Sequence, residues 1–256
     1  MAKLEIRQIP VLSDNFVYLA REPESGYVAV VDPAVVDEVM DEARKLDWKI
    51  THILNTHHHP DHVGGNLEIK EATGCTIVGP AHDPDRIPGM DVQVKDGDTY
   101  DFGKARAEVF FVPGHTRGHI AYWFKDSDAL FCGDTLFSIG CGRLFEGTPA
   151  QMWDSLQRLR QLPKSTRIYC AHEYTEANIH FAVTIEPDNQ ALRKREAEVK
   201  ALRAEGKYSV PSVMEEECEA NPFLRADAPE LAAAIGMQGR DPVDIFTEVR
   251  HRKDNF

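Results

Sequence analysis

A short run rich in β-branched residues, "ITHILNT", leads without a turn signal into "HHHPDHVGG". The run has the length and β-branched content of a buried strand. Whatever fold forms must therefore carry His57, His58, His59, Asp61 and His62 at the end of a strand. Neutral imidazole and carboxylate are the ligand types of zinc, iron and manganese. On an extended segment His57 and His59 point the same way and His58 the other, so the first two can share one ion. Pro60 bends the chain away from the strand, which turns Asp61 and His62 toward a second ion. Gly64 and Gly65 leave space for the backbone to enter a helix. No helical HExxH motif occurs, so a loop site after a strand is expected.

One loop rarely completes two coordination shells. Three other segments deliver a histidine or aspartate just past an apolar run. "AEVFFVPGHTRGH" offers His115 and His119, "DALFCGDT" offers Asp134, and "TRIYCAHEY" offers His172. A lone histidine is more often a core or loop residue, and a lone Asp in "GDT" is more often a turn or cap. Their repeated placement at strand ends is what favours ligation. The residues alone leave His115 and His119 as alternatives. His52, His82, His180 and His251 have no such context and are expected to be structural.

The chain has 256 residues and a net charge of −13. Such an acidic surface argues against nucleic acid or an anionic membrane as partner. No segment approaches the roughly 18–20 apolar residues of a membrane span, and "MAKLEIRQIPVLSDNF" has no signal-peptide pattern, so a cytoplasmic location is expected. Cys75, Cys132, Cys141, Cys170 and Cys218 are scattered and odd in number, which fits reduced thiols. Strands are expected in "KLEIRQIP", "FVYLAR", "YVAVVD" and "CTIVG", and between Val92 and Phe131 with a turn at Asp96–Gly97. Helices are expected in "VVDEVMDEARKL", in "NLEIKEATG" and in "AQMWDSLQRLRQL", the last with Thr148 as cap and Pro149 at its first position. Beyond Tyr174 the helical segments are "NQALRKREAEVKALRAEG", "PELAAAIG" and "PVDIFTEVRHRK". The expected division is a mixed α/β domain over residues 1–173 and a helical domain over 174–256.

In order and spacing, T-H-H-H-P-D-H, G-H-T-R-G-H, C-G-D-T and A-H-E-Y resemble the metallo-β-lactamase superfamily. "GDTLFSIGCGRLFEG", "HEYT" and the ending "RHRKDNF" are similar to its glyoxalase II (hydroxyacylglutathione hydrolase) family. The resemblance spans essentially the whole chain, and its last three segments are the more specific. It implies an αββα sandwich with a dinuclear site at one edge, followed by a small all-helical domain. It also implies a ligand set: His57, His59 and His115 on one ion, Asp61, His62 and His172 on the other, with Asp134 bridging and His119 ordering the loop. Two divalent ions are implied, zinc first, with iron and manganese also compatible with these ligands.

Two ions that share a water give a hydroxide at neutral pH, and a metal can hold the oxyanion that forms on a carbonyl. Asp61 is placed to orient that hydroxide. A thioester suits this chemistry, because a thiol departs as thiolate without a dedicated acid. The resemblance makes the substrate a glutathione thioester, S-2-hydroxyacylglutathione, hydrolysed to glutathione and a 2-hydroxy acid. Glutathione brings two carboxylates and needs local cations. Arg250 and Lys253, three apart in the tail, share a helix face; read alone, the tail is a helix end favoured by positive charge. The resemblance assigns both to the glycine carboxylate and Tyr174 to a nearby hydrogen bond. It departs at Arg143, where the family commonly has lysine, and at Phe145, where tyrosine often stands. Arg143 keeps the charge with a changed geometry. A monomer is the expected state.

Rival enzymes of the same fold fit less well. A β-lactam hydrolase has no use for the basic tail. A one-iron dioxygenase does not need Asp61, His62 and His172. A nuclease should show a basic face. A binding protein without turnover should lack Asp61 or Asp134, and both are present.

Overall fold

The computed structural model describes residues 3–256, which divide into two compact units, residues 3–111 with 117–133, and residues 112–116 with 134–256. In the first unit, β1 (Glu5–Val11), β2 (Asn15–Arg21), β3 (Val28–Val31), β4 (His52–Leu54), β5 (Thr76–Pro80) and β6 (Val92–Val94) form one sheet in that order. The β1–β2 and β2–β3 pairs are antiparallel; β3 to β6 run parallel. Parallel strands are covered on both faces and so read as continuous apolar runs, as in the fully buried "VAVV" of β3. One face packs against helices α1 (Asp37–Lys45), α2 (Pro60–Val63) and α3 (Asn66–Thr73), through Val39, Ala43, Val63 and Ile69 against Val17, Val30, Ile53 and Ile77.

A second sheet in this unit holds β7 (Thr99–Phe102), β8 (Ala105–Phe111), β9 (Ile120–Phe124) and β10 (Ala129–Gly133), all antiparallel neighbours. It faces the first sheet across aromatic contacts such as Tyr18 against Phe131, centroids 5.6 Å apart. Buried Tyr122 on β9 donates to the Asn55 carbonyl at 3.0 Å. That bond fixes the end of β4, the point where the histidine loop begins.

Just past β2, buried Glu22 accepts hydrogen bonds from the backbone N–H groups of Glu24, Ser25 and Lys104 at 2.7, 2.9 and 3.1 Å. Burial opposes its charge, but these bonds and Ser25 outweigh it and lower the pKa from 4.5 to about 2. A carboxyl depressed on folding stabilises the fold above its unfolded pKa, and that contribution is lost as pH falls through the folded value. Glu22→Gln is therefore expected to destabilise the protein at neutral pH. In urea unfolding the gap from wild type should close as pH falls from 4.5 toward about 2.

The second unit holds the hairpin β11 (Leu136–Phe137) and β12 (Gly140–Cys141), helix α4 (Pro149–Arg160), and the pair β13 (Arg167–Cys170) and β14 (Ser212–Val213). Helices α5 (Thr175–Ile185), α6 (Gln190–Ala204), α7 (Met214–Ala220), α8 (Pro229–Ala234) and α9 (Pro242–Asp254) complete it. As expected, α4 starts at Thr148 with Pro149 in its first turn, and Thr148 and Gln151 form a capping box. The sequence reading did not anticipate α5. Its "TEANIHFAVTI" is rich in β-branched residues, which lowers helix propensity, and packing of Ile179, Ala182 and Val183 with Leu192 and Val199 of α6 supplies the stability instead. Helix α7 was also missed; "MEEECEA" has little apolar periodicity, but three glutamates in the first turn suit the helix dipole. No disulfide occurs among the described residues. Among them, too, no helix is long and apolar enough to cross a membrane.

Candidate metal centre

In the first unit, the histidine loop is built from β4 outward. His57 is fully buried, and its Nε2 lies 3.2 Å from Nδ1 of His59. His59 is the extended residue before α2, and Pro60 is the first helical residue. That single helical turn carries Asp61 and His62 round to one side, with His62 Nε2 3.5 Å from Asp61 Oδ2. His58 turns away to Asp83, 3.5 Å distant, and to Arg86. His119 stacks on His57, ring centroids 4.5 Å apart and 18° from parallel. Gly64 is required for close packing: a Cβ there would sit 2.6 Å from the Ala34 carbonyl oxygen.

Three residues not singled out in the sequence hold this loop from behind. Asp32, buried just past β3, accepts from the Thr56 N–H at 2.8 Å and the Thr56 hydroxyl at 2.7 Å, and lies 3.1 Å from His62 Nδ1. The Thr56 hydroxyl in turn lies 3.0 Å from His57 Nδ1. A carboxylate on the far nitrogen of a histidine fixes its tautomer and raises its basicity as a ligand. Asn15 donates to Asp61 Oδ2 at 2.9 Å and orients that carboxylate. The available signal for Asp32 was the "VVDP" step, a strand ending in an aspartate before proline.

In the second unit, the other donors gather on Asp134. Its Oδ2 lies 3.3 Å from His115 Nε2, and its Oδ1 lies 3.4 Å from His172 Nε2. Each carboxylate oxygen thus faces a different imidazole. His115 Nδ1 pairs with the Arg143 carbonyl at 2.8 Å, so Nε2 is the atom that could ligate a metal. His172 stacks on Tyr174, 4.7 Å apart and 5° from parallel, and Phe145 meets the His115 ring at 5.3 Å. Gly142 is also obligatory, since a Cβ would fall 1.9 Å from the Asp134 carbonyl oxygen. Cys141 is buried and its thiol is pushed up to about 11 by that burial, against the pull of Arg250, so it supplies no nucleophile at neutral pH.

Separations of 3.2 to 3.5 Å within these donor pairs suit ligation of a common ion. Two ligand atoms at about 2.0–2.1 Å from a tetrahedral ion lie roughly 3.3 Å from each other. The donor set, imidazoles with two carboxylates, fits a divalent metal.

The cations expected to hold substrate all lie in the second unit. Arg143 is largely exposed, and Tyr174 is partly so. Arg250 is 6% exposed, lies over Phe223 and donates to the Cys141 carbonyl at 3.2 Å. Lys253 donates to the Ala177 carbonyl at 3.0 Å and lies over Phe181 and Phe256.

Comparison with known proteins first defines the class. Residues 12–172 match the profile of the metallo-β-lactamase superfamily, and residues 173–256 match that of the hydroxyacylglutathione hydrolase C-terminus. The α/β fold is thus the metallo-β-lactamase fold with a helical C-terminal region, and it carries divalent-metal binding with it. A hydroxyacylglutathione hydrolase of Methylococcus capsulatus is 59% identical over 99% of this chain and 99% of its own length. Among solved structures, ETHE1 from Myxococcus xanthus has 25% identity and a TM-score of 0.67, covering 98% of this chain and all of that one. A protein solved in a di-iron-bound form has 26% identity and a TM-score of 0.56 over 64% of this chain and 90% of that one. The chain belongs to the hydroxyacylglutathione hydrolase (glyoxalase II) family of the metallo-β-lactamase superfamily.

Proposed function

We propose that the protein hydrolyses the thioester of S-2-hydroxyacylglutathione, S-D-lactoylglutathione above all, to glutathione and the 2-hydroxy acid D-lactate, the second step of methylglyoxal detoxification. The observation that carries this reading is identity of 59% to a hydroxyacylglutathione hydrolase over the full chain, in a chain that keeps every donor of a two-ion site.

Residues 1–173 form the catalytic domain and residues 174–256 the substrate-binding domain. His57, His59 and His115 would hold one ion and Asp61, His62 and His172 the other, with Asp134 as the ligand common to both. The ions proposed are zinc, with iron and manganese as the alternatives. When bound, the metal would supply an acidified water and Lewis-acid polarisation of the thioester carbonyl. The chain's own residues do the rest. Asp32 and Thr56 hold His62 and His57 in their ligating tautomers. Asp61, fixed by Asn15, orients the water toward the carbonyl carbon. Arg250 and Lys253 take the glycine carboxylate of glutathione, with Tyr174 alongside and Arg143 at the rim. The thiolate leaves without a general acid. The protein is proposed to act as a cytoplasmic monomer.

The test is the loss of thioester absorbance on S-D-lactoylglutathione beside a neutral thioester, S-acetyl-N-acetylcysteamine. Fast hydrolysis of the first with little of the second supports the reading. Equal rates on both remove the glutathione site from it.

A further inference from the structure

We propose that Asp254 occupies the anion slot of the substrate clamp in the free protein and is displaced when a carboxylate of the substrate arrives. This deepens, and rests on, the assignment of Arg250 and Lys253 to glutathione. Asp254 Oδ1 lies 2.8 Å from Arg250 Nη2, one helical turn earlier on α9, and 3.8 Å from Arg143 Nε on the loop after β12. One oxygen of one aspartate therefore meets guanidinium groups from two separate segments, more than a helix-surface pair requires.

The Arg250 side chain shows why this pairing is provisional. Its Nη1 is committed to the Cys141 carbonyl. Its Nε is buried and has no acceptor within the protein. A guanidinium binds a carboxylate best side-on, with Nε and Nη2 each donating to one oxygen. Asp254 reaches that edge from the same helix and engages only Nη2, so half of the edge stays unused. A carboxylate free to approach along the edge makes two bonds where Asp254 makes one. Asp254 is partly exposed, with 35% of its side chain accessible, so it can swing into solvent as the incoming anion takes its place. Its charge meanwhile offsets the mutual repulsion of Arg250 and Lys253, since Arg250 lowers the Lys253 pKa and Asp254 raises it, while burial lowers it most. Asp254 thus sets how tightly the clamp holds an anion: it keeps the cations together in the free protein and lowers their affinity for substrate.

The experiment measures KM for S-D-lactoylglutathione and Ki for S-methylglutathione in wild type, Asp254→Asn and Arg250→Ala, with the neutral thioester as reference substrate and thermal unfolding as the fold control. Asparagine keeps the shape and removes the competing charge. Asp254→Asn is expected to lower both KM and Ki by about three- to fivefold, the size of a partly exposed ion pair, with the neutral thioester unaffected. Arg250→Ala is expected to raise both. A rise, or no change, in KM and Ki for Asp254→Asn while Arg250→Ala raises them overturns the displacement and makes Asp254 a plain structural partner. If Arg250→Ala also leaves both constants unmoved, the glutathione assignment of the clamp fails with it.

Discussion

Asp134→Ala is expected to abolish thioester hydrolysis and metal retention together. The two oxygens of Asp134 face two different imidazoles, His115 at 3.3 Å and His172 at 3.4 Å. On the proposed ligand set, removing the carboxylate would take a donor from each ion and leave two buried histidines without the negative charge between them. Loss of a partner behind a ligand costs about 10–100-fold in metal affinity or activity, so a ligand shared by both ions should cost on the order of 10³-fold or more in kcat/KM. Metal content after gel filtration and kcat/KM with added zinc check this. Retention of two ions with a modest loss of rate would show that Asp134 does not join them.

Asp32→Asn should have the next largest effect, although Asp32 touches no substrate. It receives the Thr56 N–H, the Thr56 hydroxyl and the His62 ring on two oxygens. Its backbone is left-handed, with φ at 51°, a conformation that asparagine tolerates. The substitution therefore tests charge and tautomer rather than strain. Zinc affinity is expected to fall about 10–100-fold, and saturating zinc should restore most of kcat. That recovery separates a residue that positions ligands from one that acts on substrate. A kcat that stays low at saturating metal, in a protein with unchanged unfolding, would contradict the positioning role.

Much of the site was legible because its donors are crowded in sequence. The two-residue step from His57 to His59 places both rings together by strand geometry, and the structure brings Nε2 and Nδ1 to 3.2 Å. His58 turns away as alternation requires. Asp61 and His62 were legible as a separate pair because Pro60 turns the chain out of its extended run, and Pro60 does open a helical turn. What was not legible depends on distant segments. Asp32 meets Thr56 from another strand end, and its one local signal, the "VVDP" step, does not say which side chains it will hold. His115 and His119 sit in the same short loop with the same residue type. The residues alone do not separate them; the family resemblance assigned His115 as ligand, and in the folded chain His115 lies on Asp134 while His119 stacks on His57. The burial of Arg250 was equally hidden, since its partners Cys141 and Phe223 lie far off in sequence. In the helical region α5 escaped notice because its stability comes from packing on α6 rather than from its own residues.

The most direct test of the account is a zinc titration of metal-free protein, with bound metal and S-D-lactoylglutathione hydrolysis followed together. Two coupled ions predict activity that climbs to a plateau at two equivalents of zinc per chain and is absent from the metal-free protein. Full activity at one equivalent, or turnover without metal, would contradict it.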